Sequence, residues 1–456
     1  MKSDALVAAW TETLARKGDA PAIFETSGAI SRTFAGIESD SREFERKIDM
    51  FDAGNVVAIQ IGNHPDWPAM FLACLRKGVV ALPLEQSISE TERDAALKIC
   101  GACAVITNSI RKIDNYISPD WGANPPSLLK LTSGTTAAPR AIRFRSEQLL
   151  ADCNQICATM GIEDVDLNFG VIPISHSYGF SNLLTPLIAR GVPMVLSHDR
   201  LPRAVLVDLA RTNATVFPGM PVFYQAFCEM ENVPALPKLR LCISAGAPLT
   251  GALAKKFWEK FKQPIHSFYG SSECGGICYD REGKEFEDGF VGAPMQDADL
   301  EIVDLAAESS QARVRSAAVA DGYFPEPDAD SLGGRVFVPG DLLTRHGDGF
   351  KVVGRVSDLI NVAGKKVNPA QVEEQLLRFA GVREAVVFGR KSAQRNEEVA
   401  ACVVADKTVD EAALLKACRG RLSGWQVPKR IYFLDEIPVN ERGKISRREL
   451  AERFAR

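Results

Sequence analysis

Leu131-Thr-Ser-Gly-Thr-Thr-Ala-Ala-Pro-Arg140 brings four hydroxyl side chains and a glycine together directly after the apolar segment Ser127-Leu-Leu-Lys-Leu131. The apolar segment reads as a strand, and the polar run as the loop at its end. Backbone N–H groups and Ser/Thr hydroxyls that converge on one point suit phosphate oxygens, which need several donors at once. Ser, Thr and Gly are also ordinary turn residues, so the stretch alone leaves a polar surface turn open. Its neighbours in the chain decide between the two.

The chain has 456 residues, enough for two or three domains and a large core. Its formal net charge is −4, and it contains no run of five or more like charges. The richest basic cluster, Arg442 to Arg448, is interrupted by Gly443 and Ile445. This balance gives no footprint for nucleic acid or for an anionic membrane surface. The N-terminus lacks a signal-peptide core, and no apolar run approaches the roughly 18 residues of a membrane span. A soluble, cytoplasmic protein is expected. Eleven cysteines are scattered through apolar stretches such as Phe71-Leu-Ala-Cys74 and Leu241-Cys-Ile243. Buried free thiols are expected rather than a disulfide framework. Cys100-Gly-Ala-Cys103 has no second pair, and neither it nor the Cys274/Cys278 pair has a histidine at metal-ligand spacing.

Strand-like segments (Asn55 to Ile61, Phe169 to Pro173, Leu239 to Ile243) alternate with helix-like ones (Asp66 to Leu75, Leu201 to Thr212). That alternation is the pattern of α/β layering. The character changes near Gly354-Arg355. Beyond it lie apolar strands at Glu384 to Phe388 and Val399 to Val404. A helix is expected to open at Asn368-Pro369, a cap residue followed by proline, with Val372, Leu376 and Phe379 on its apolar face. A second is expected to carry Leu414, Cys418 and Leu422 at four-residue spacing. A separate α+β module of roughly 100 residues fits this stretch, with the boundary at about residues 355–358.

Further segments carry chemistry of the same kind. Phe268-Tyr-Gly-Ser-Ser-Glu273 reads as a strand-end loop, where ligands bind in open α/β sheets. Its aromatic face beside a glycine can stack on a purine, and its carboxylate can hold a hard cation against a triphosphate. A core tyrosine and a solvated glutamate are the plainer alternative. Ser244-Ala-Gly-Ala-Pro-Leu249 is small enough for its backbone to approach a flat ring. Asp341, in Pro339-Gly-Asp341, sits at a tight turn where it could accept two ribose hydroxyls or serve only the turn. Gly354-Arg355 offers a cation near the inferred joint, and Asn440-Glu-Arg-Gly-Lys-Ile-Ser446 sets Lys444 on a glycine-preceded loop.

In this order, the hydroxyl loop, the Tyr-Gly-x-x-Glu loop, the Gly-Asp turn, the Gly-Arg joint and the Gly-Lys loop resemble the ANL superfamily. That superfamily comprises acyl-CoA synthetases, peptide-synthetase adenylation domains and luciferases. The resemblance runs from about Phe24 to the C-terminus. It implies an α/β fold, with a large multi-subdomain N-terminal α/β domain over residues 1–355 and a smaller mobile α+β C-terminal domain over 356–456. It also implies activation of a carboxylic acid by ATP and Mg2+ to an acyl-adenylate, followed by attack of a thiol.

Carried across by motif, the resemblance gives Thr132, Ser133, Gly134, Thr135 and Thr136 to the ATP phosphates, with Thr136 also among the catalytic groups. Gly246, Ala247 and Pro248 would line the adenine, Tyr269 would stack on it, and Gly270, Ser271 and Ser272 would complete that loop. Glu273 would hold the metal. Asp341 would bind the ribose with Arg355 nearby, and Lys444 would bridge carboxylate and α-phosphate. His176, Tyr178, Phe180, Phe217 and Gly219 would border the acyl pocket, where their size points to an apolar or aromatic acid. Ser357 falls at the hinge, and Gly364 would line the thiol tunnel as Lys444 moves away.

The roles suit the chemistry. A carboxylate is a poor nucleophile toward an anionic phosphate, so positioning and charge neutralisation dominate. Lysine is a mobile point charge on a flexible stem. The chain departs from the family pattern at Ala137, Arg140, Ala141, Ser272 and Ser357. The expected acceptor is coenzyme A, with carrier-protein phosphopantetheine supplied in trans as the alternative. A degenerate ATP-binding member without ligase activity is a third reading, raised by Ala137 and Ala141.

Overall fold

Val56–Ile59, Val80–Pro83 and Ala102–Ile106 are apolar runs buried along their whole length. That is the signature of strands covered on both faces, and they pair in parallel. The computed structural model describes residues 4–132, 140–303, 310–362, 365–392, 396–438 and 446–454. Within these, seven strands form one mixed sheet in the order Gly322–Phe324, Ala141–Phe144, Leu128–Leu131, Val80–Pro83, Val56–Ile59, Ala102–Ile106, Ile110–Lys112. The helix Trp67–Lys77 packs nine of its residues into the core and ends at the left-handed Gly78.

A second parallel array runs Ile265–Ser271, Leu241–Ser244, Val216–Gly219, Asn168–Gly170, Met194–Leu196, Pro21–Glu25. Its first strand continues antiparallel into Gly275–Tyr279 and then Phe290–Pro294. Beneath it Phe169, Phe217, Phe223, Tyr224 and Phe227 interlock, with ring centroids 5.6 to 6.4 Å apart. Parallel pairing sends the C-terminal ends of these strands to one edge of the sheet, and that edge carries the candidate site.

The described residues divide into two compact units. Residues within 1–301, 313–339 and 345–351 make the first, and those within 302–312, 340–344 and 352–456 make the second. In the second, Lys365–Val367, Ile360–Val362, Asn396–Ala405 and Val382–Ser392 pair antiparallel, and Arg430–Phe433 joins in parallel. Strand alternation sends Val387, Val399, Ala401 and Val403 to one face, where the helices Pro369–Leu377 and Glu411–Arg419 cover them. Val386, Phe388, Ala400 and Cys402 go to the other face with Leu450 of the helix Arg447–Arg453. The α/β class is thus as expected, with a larger first unit and a smaller α+β second unit.

Several element ends differ from the sequence reading. The helix at Asn368 is capped as expected, its side chain accepting from the Ala370 N–H at 3.1 Å. It stops at Leu377, so Phe379 packs on the core from beyond the helix end. Leu422 likewise lies past the helix Glu411–Arg419. The strand at Ile265 runs on through Ser271 because Gly275–Tyr279 supplies it with partners. Tyr269 is therefore in the strand, and Glu273 at a hairpin tip. All eleven cysteines are free and buried. No described helix is long and apolar enough to cross a membrane.

Candidate active site

The hydroxyl-rich stretch is the connection between two antiparallel strands, with Leu131 opposite Ala141. Thr132 closes the neck. Its N–H and its hydroxyl both donate to the Arg140 carbonyl, at 2.9 and 3.1 Å. The Thr132 hydroxyl thus holds the hairpin shut. Ser133, Gly134, Thr135, Thr136 and Ala137 lie outside the described residues, as do Gly364 and Lys444. On the far side of the neck the Arg140 guanidinium lies on the face of Tyr323, 4.1 Å from the ring centroid, and 3.8 Å from Asp328.

Glu273 stands at the tip of the neighbouring hairpin. Tyr323 donates its hydroxyl hydrogen to Glu273 Oε1 at 3.0 Å, and Ser271 donates to Oε2. The Ala320 N–H donates to the Glu273 carbonyl at 3.0 Å. Both carboxylate oxygens are thereby fixed while the side chain stays partly exposed. Gly270 permits this tight tip, since a Cβ there would come within 2.6 Å of the Gly275 carbonyl oxygen. Ser272 is tied sideways by Ser177, whose hydroxyl donates to it at 2.9 Å.

One further strand end stands beside this hairpin. Ser244 pairs with Ser267, so Gly246 and Tyr269 each follow two residues beyond a matched pair. Gly246 has φ +82°, which a residue with a side chain rarely adopts. Gly246, Ala247 and Pro248 are exposed, and Tyr269 is partly so. The hydroxyl of Ser244, just inside this rim, is buried with no hydrogen-bond partner. A flat, polar-edged ring would find an open backbone shelf here.

The residues assigned to the acyl pocket divide. His176 is exposed and caps a short turn, its Nδ1 accepting from the Tyr178 N–H at 3.2 Å. Tyr178 is buried, with its hydroxyl donating to the carbonyls of Gly219 and Ile243 at 3.3 and 3.4 Å. Burial pushes its phenol well above the usual range. Phe180 meets Phe71 edge to face at 5.1 Å, and Phe217 lies inside the aromatic core against Gly219. These three rings belong to the packed interior of the first unit. In the second unit, Arg355 Nε donates to Asp341 Oδ1 at 2.9 Å, an ion pair between two residues singled out separately in the sequence. Ser357 follows in the one-turn helix Val356–Asp358.

The arrangement therefore combines a hydroxyl-rich hairpin of one sheet with a fixed carboxylate, a glycine shelf and an aromatic face at the strand ends of the other, linked through Tyr323. The sequence profile of AMP-binding enzymes matches residues 10–120 and 116–324, and that of their C-terminal domain matches 371–444. The chain belongs to the AMP-binding enzyme family. A probable CoA ligase of Humulus lupulus is 28% identical, covering 88% of this chain and 87% of its own. A feruloyl-CoA synthase of an Amycolatopsis species is also 28% identical, over 88% and 89%. Among solved structures, ATP-bound MatB of Rhodopseudomonas palustris superposes with a TM-score of 0.83 over 98% of this chain and 99% of that one, at 22% identity. That likeness is one of fold.

Within this AMP-binding enzyme, sequence reasoning missed Tyr323, Ser177, Lys130 and Asp152. Lys130 and Asp152 are buried behind the Glu273 hairpin. Burial pushes the Lys130 ammonium down and the Asp152 carboxyl up, and each charge opposes the other's shift. The one signal in the sequence was a lysine inside an otherwise apolar strand.

Proposed function

We propose that this chain is an ATP-dependent carboxylic acid–thiol ligase that forms an acyl-adenylate and then an acyl-CoA thioester. The observation that carries the reading is the pairing of Glu273 with the hydroxyl-loop hairpin through Tyr323, in a chain that matches the AMP-binding family over both its parts. In the first step a carboxylate oxygen attacks the α-phosphorus of ATP, the bond to the β-phosphate oxygen breaks, and pyrophosphate leaves. In the second, a thiol sulfur attacks the acyl carbon and loses its proton, and AMP leaves.

Residues 1–355 would bind ATP and the acid, and residues 356–456 would bring Lys444 to the first step and Gly364 to the second about Ser357. Thr132 would hold the neck of the phosphate loop while Ser133 to Thr136 donate to phosphate oxygens. Gly246, Ala247 and Pro248 would receive the adenine, with Tyr269 against its face. His176 would border the acid. Asp341 would take the ribose hydroxyls, oriented by Arg355.

The residues fit a magnesium ion, because Glu273 presents hard oxygens that Tyr323 and Ser271 already orient. Bound there, the ion would neutralise charge on the phosphate oxygens. We place the reaction in the cytoplasm, where ATP and CoA are supplied together.

Pyrophosphate release and CoA consumption, measured across aryl, short dicarboxylic, medium and long acids, test the reading. Acid-dependent release of pyrophosphate with matching acyl-CoA formation is expected. Release coupled only to a carrier-protein phosphopantetheine would replace CoA as acceptor, and no release with any acid would overturn the reading.

A further inference from the structure

Lys130 lies on the strand Leu128–Leu131, two residues before Thr132, and is 6% exposed. Its ammonium stands 4.5 Å from the ring centroid of Phe144 and 5.6 Å from that of Phe180. Both are aromatic faces that favour a cation. A leucine or methionine would fill this space without the heavy cost of desolvating a charge. The charged groups that act on the ammonium explain its presence. They are Asp152 and Glu273, since burial keeps the nearby Cys274 thiol neutral.

Asp152 works from below the same hairpin. Its Oδ1 accepts the Gly276 N–H at 3.0 Å. It sits so close to Gly275 that a Cβ there would come within 2.0 Å of that oxygen. Gly275 and Gly276 open the strand that pairs with the one leading to Glu273. The hairpin therefore has one carboxylate at its tip and another clamping its base, and the charges of both act on one buried cation. With all three groups ionised the trio carries a single net negative charge, and with Lys130 removed it carries two.

We propose that Lys130 is a positioning residue for nucleotide binding: with Asp152 beneath the hairpin it sets the electrostatic field at Glu273, so that the anionic metal–triphosphate is drawn to the site. This rests on Glu273 being the metal carboxylate. Removing the cation leaves the Asp152 and Glu273 charges uncompensated and repels an anionic ligand. Removing the Asp152 charge, with its hydrogen-bond acceptor kept, does the opposite.

Calorimetric binding of Mg2+ with α,β-methylene-ATP to the full chain separates charge from packing. Lys130→Met is expected to weaken binding by about threefold or more, the scale of one close charge in a partly screened site. Asp152→Asn is expected to tighten binding, and the double variant to return close to the parent. If both single variants weaken binding, or neither changes it, the proposal is overturned while the ligase reading stands. If the parent chain itself fails to bind the nucleotide, the ligase reading fails and this proposal with it. Thermal melting accompanies each variant. Should Lys130→Met not fold, Asp152→Asn alone decides, and binding that is unchanged or weaker overturns the proposal.

Discussion

The Tyr323 hydroxyl donates to Glu273 Oε1 at 3.0 Å across 50 residues of chain, and the same ring carries the Arg140 guanidinium on its face. Tyr323 sits opposite Ile142 on the strand that leaves the hydroxyl-rich hairpin. One side chain thus couples the exit of that loop to the carboxylate of the neighbouring hairpin. Burial and the Glu273 charge push its phenol well up, so it remains a donor throughout the working pH range.

Tyr323→Phe keeps the ring under Arg140 and removes only the hydroxyl. A hydrogen bond to a charged group contributes about 1.5–3 kcal/mol, roughly a ten- to hundredfold effect. Pyrophosphate exchange is expected to show kcat/KM for ATP lowered by about tenfold or more, with melting temperature nearly unchanged. An unchanged kcat/KM would remove Tyr323 from the site.

Gly270→Ala places a methyl against the Gly275 carbonyl, backbone to backbone, where no flexible side chain can yield. Overpacking of this kind costs about 1–3 kcal/mol and must open the hairpin tip. Calorimetric melting is expected to fall and adenylation to drop more steeply than stability alone explains. Parent-like activity would mean that the tip tolerates opening.

The glycine shelf and the Glu273 loop were legible because polar, small residues at strand ends stand out against apolar strands. The covalent neighbours of Glu273 in the sequence pointed to a loop. Hydrogen bonds from Gly275–Tyr279 extend the strand to Ser271 instead. The contacts of Tyr323 with Glu273, and of Ser177 with Ser272, depend on which strands lie side by side, and local pattern does not encode that order. Tyr178, Phe180 and Phe217 are buried, and their depth was not legible either, because an aromatic looks the same in sequence at any depth.

Arg447 fans out within the second unit, to Val387 O at 3.0 Å, Asp358 at 2.8 Å and both oxygens of Glu373 at 2.9 and 3.1 Å. Glu373 also accepts the Val387 N–H at 2.7 Å. Arg447→Met strands two carboxylates and is expected to destabilise this unit by about 1–3 kcal/mol. Hydrogen exchange is expected to speed up first in residues 382–392 and 369–377. Exchange no faster than in the parent would contradict the network's role.

Burial pushes the thiols of Cys74, Cys100, Cys242 and Cys278 up to about 12, which leaves almost no thiolate at neutral pH. Iodoacetamide at about pH 8 is expected to leave these four unlabelled in the native protein and to label all eleven cysteines after denaturation. Rapid native labelling at Cys242 would place that strand outside the core.

In the proposed ligase Lys444 serves adenylate formation and leaves before the thioester forms, so the two half-reactions of Lys444→Ala, measured separately, should part company. Acid-dependent pyrophosphate exchange is expected to fall by orders of magnitude, while thioester formation from a supplied acyl-adenylate and CoA stays within a small factor of the parent. Equal loss in both half-reactions would contradict it.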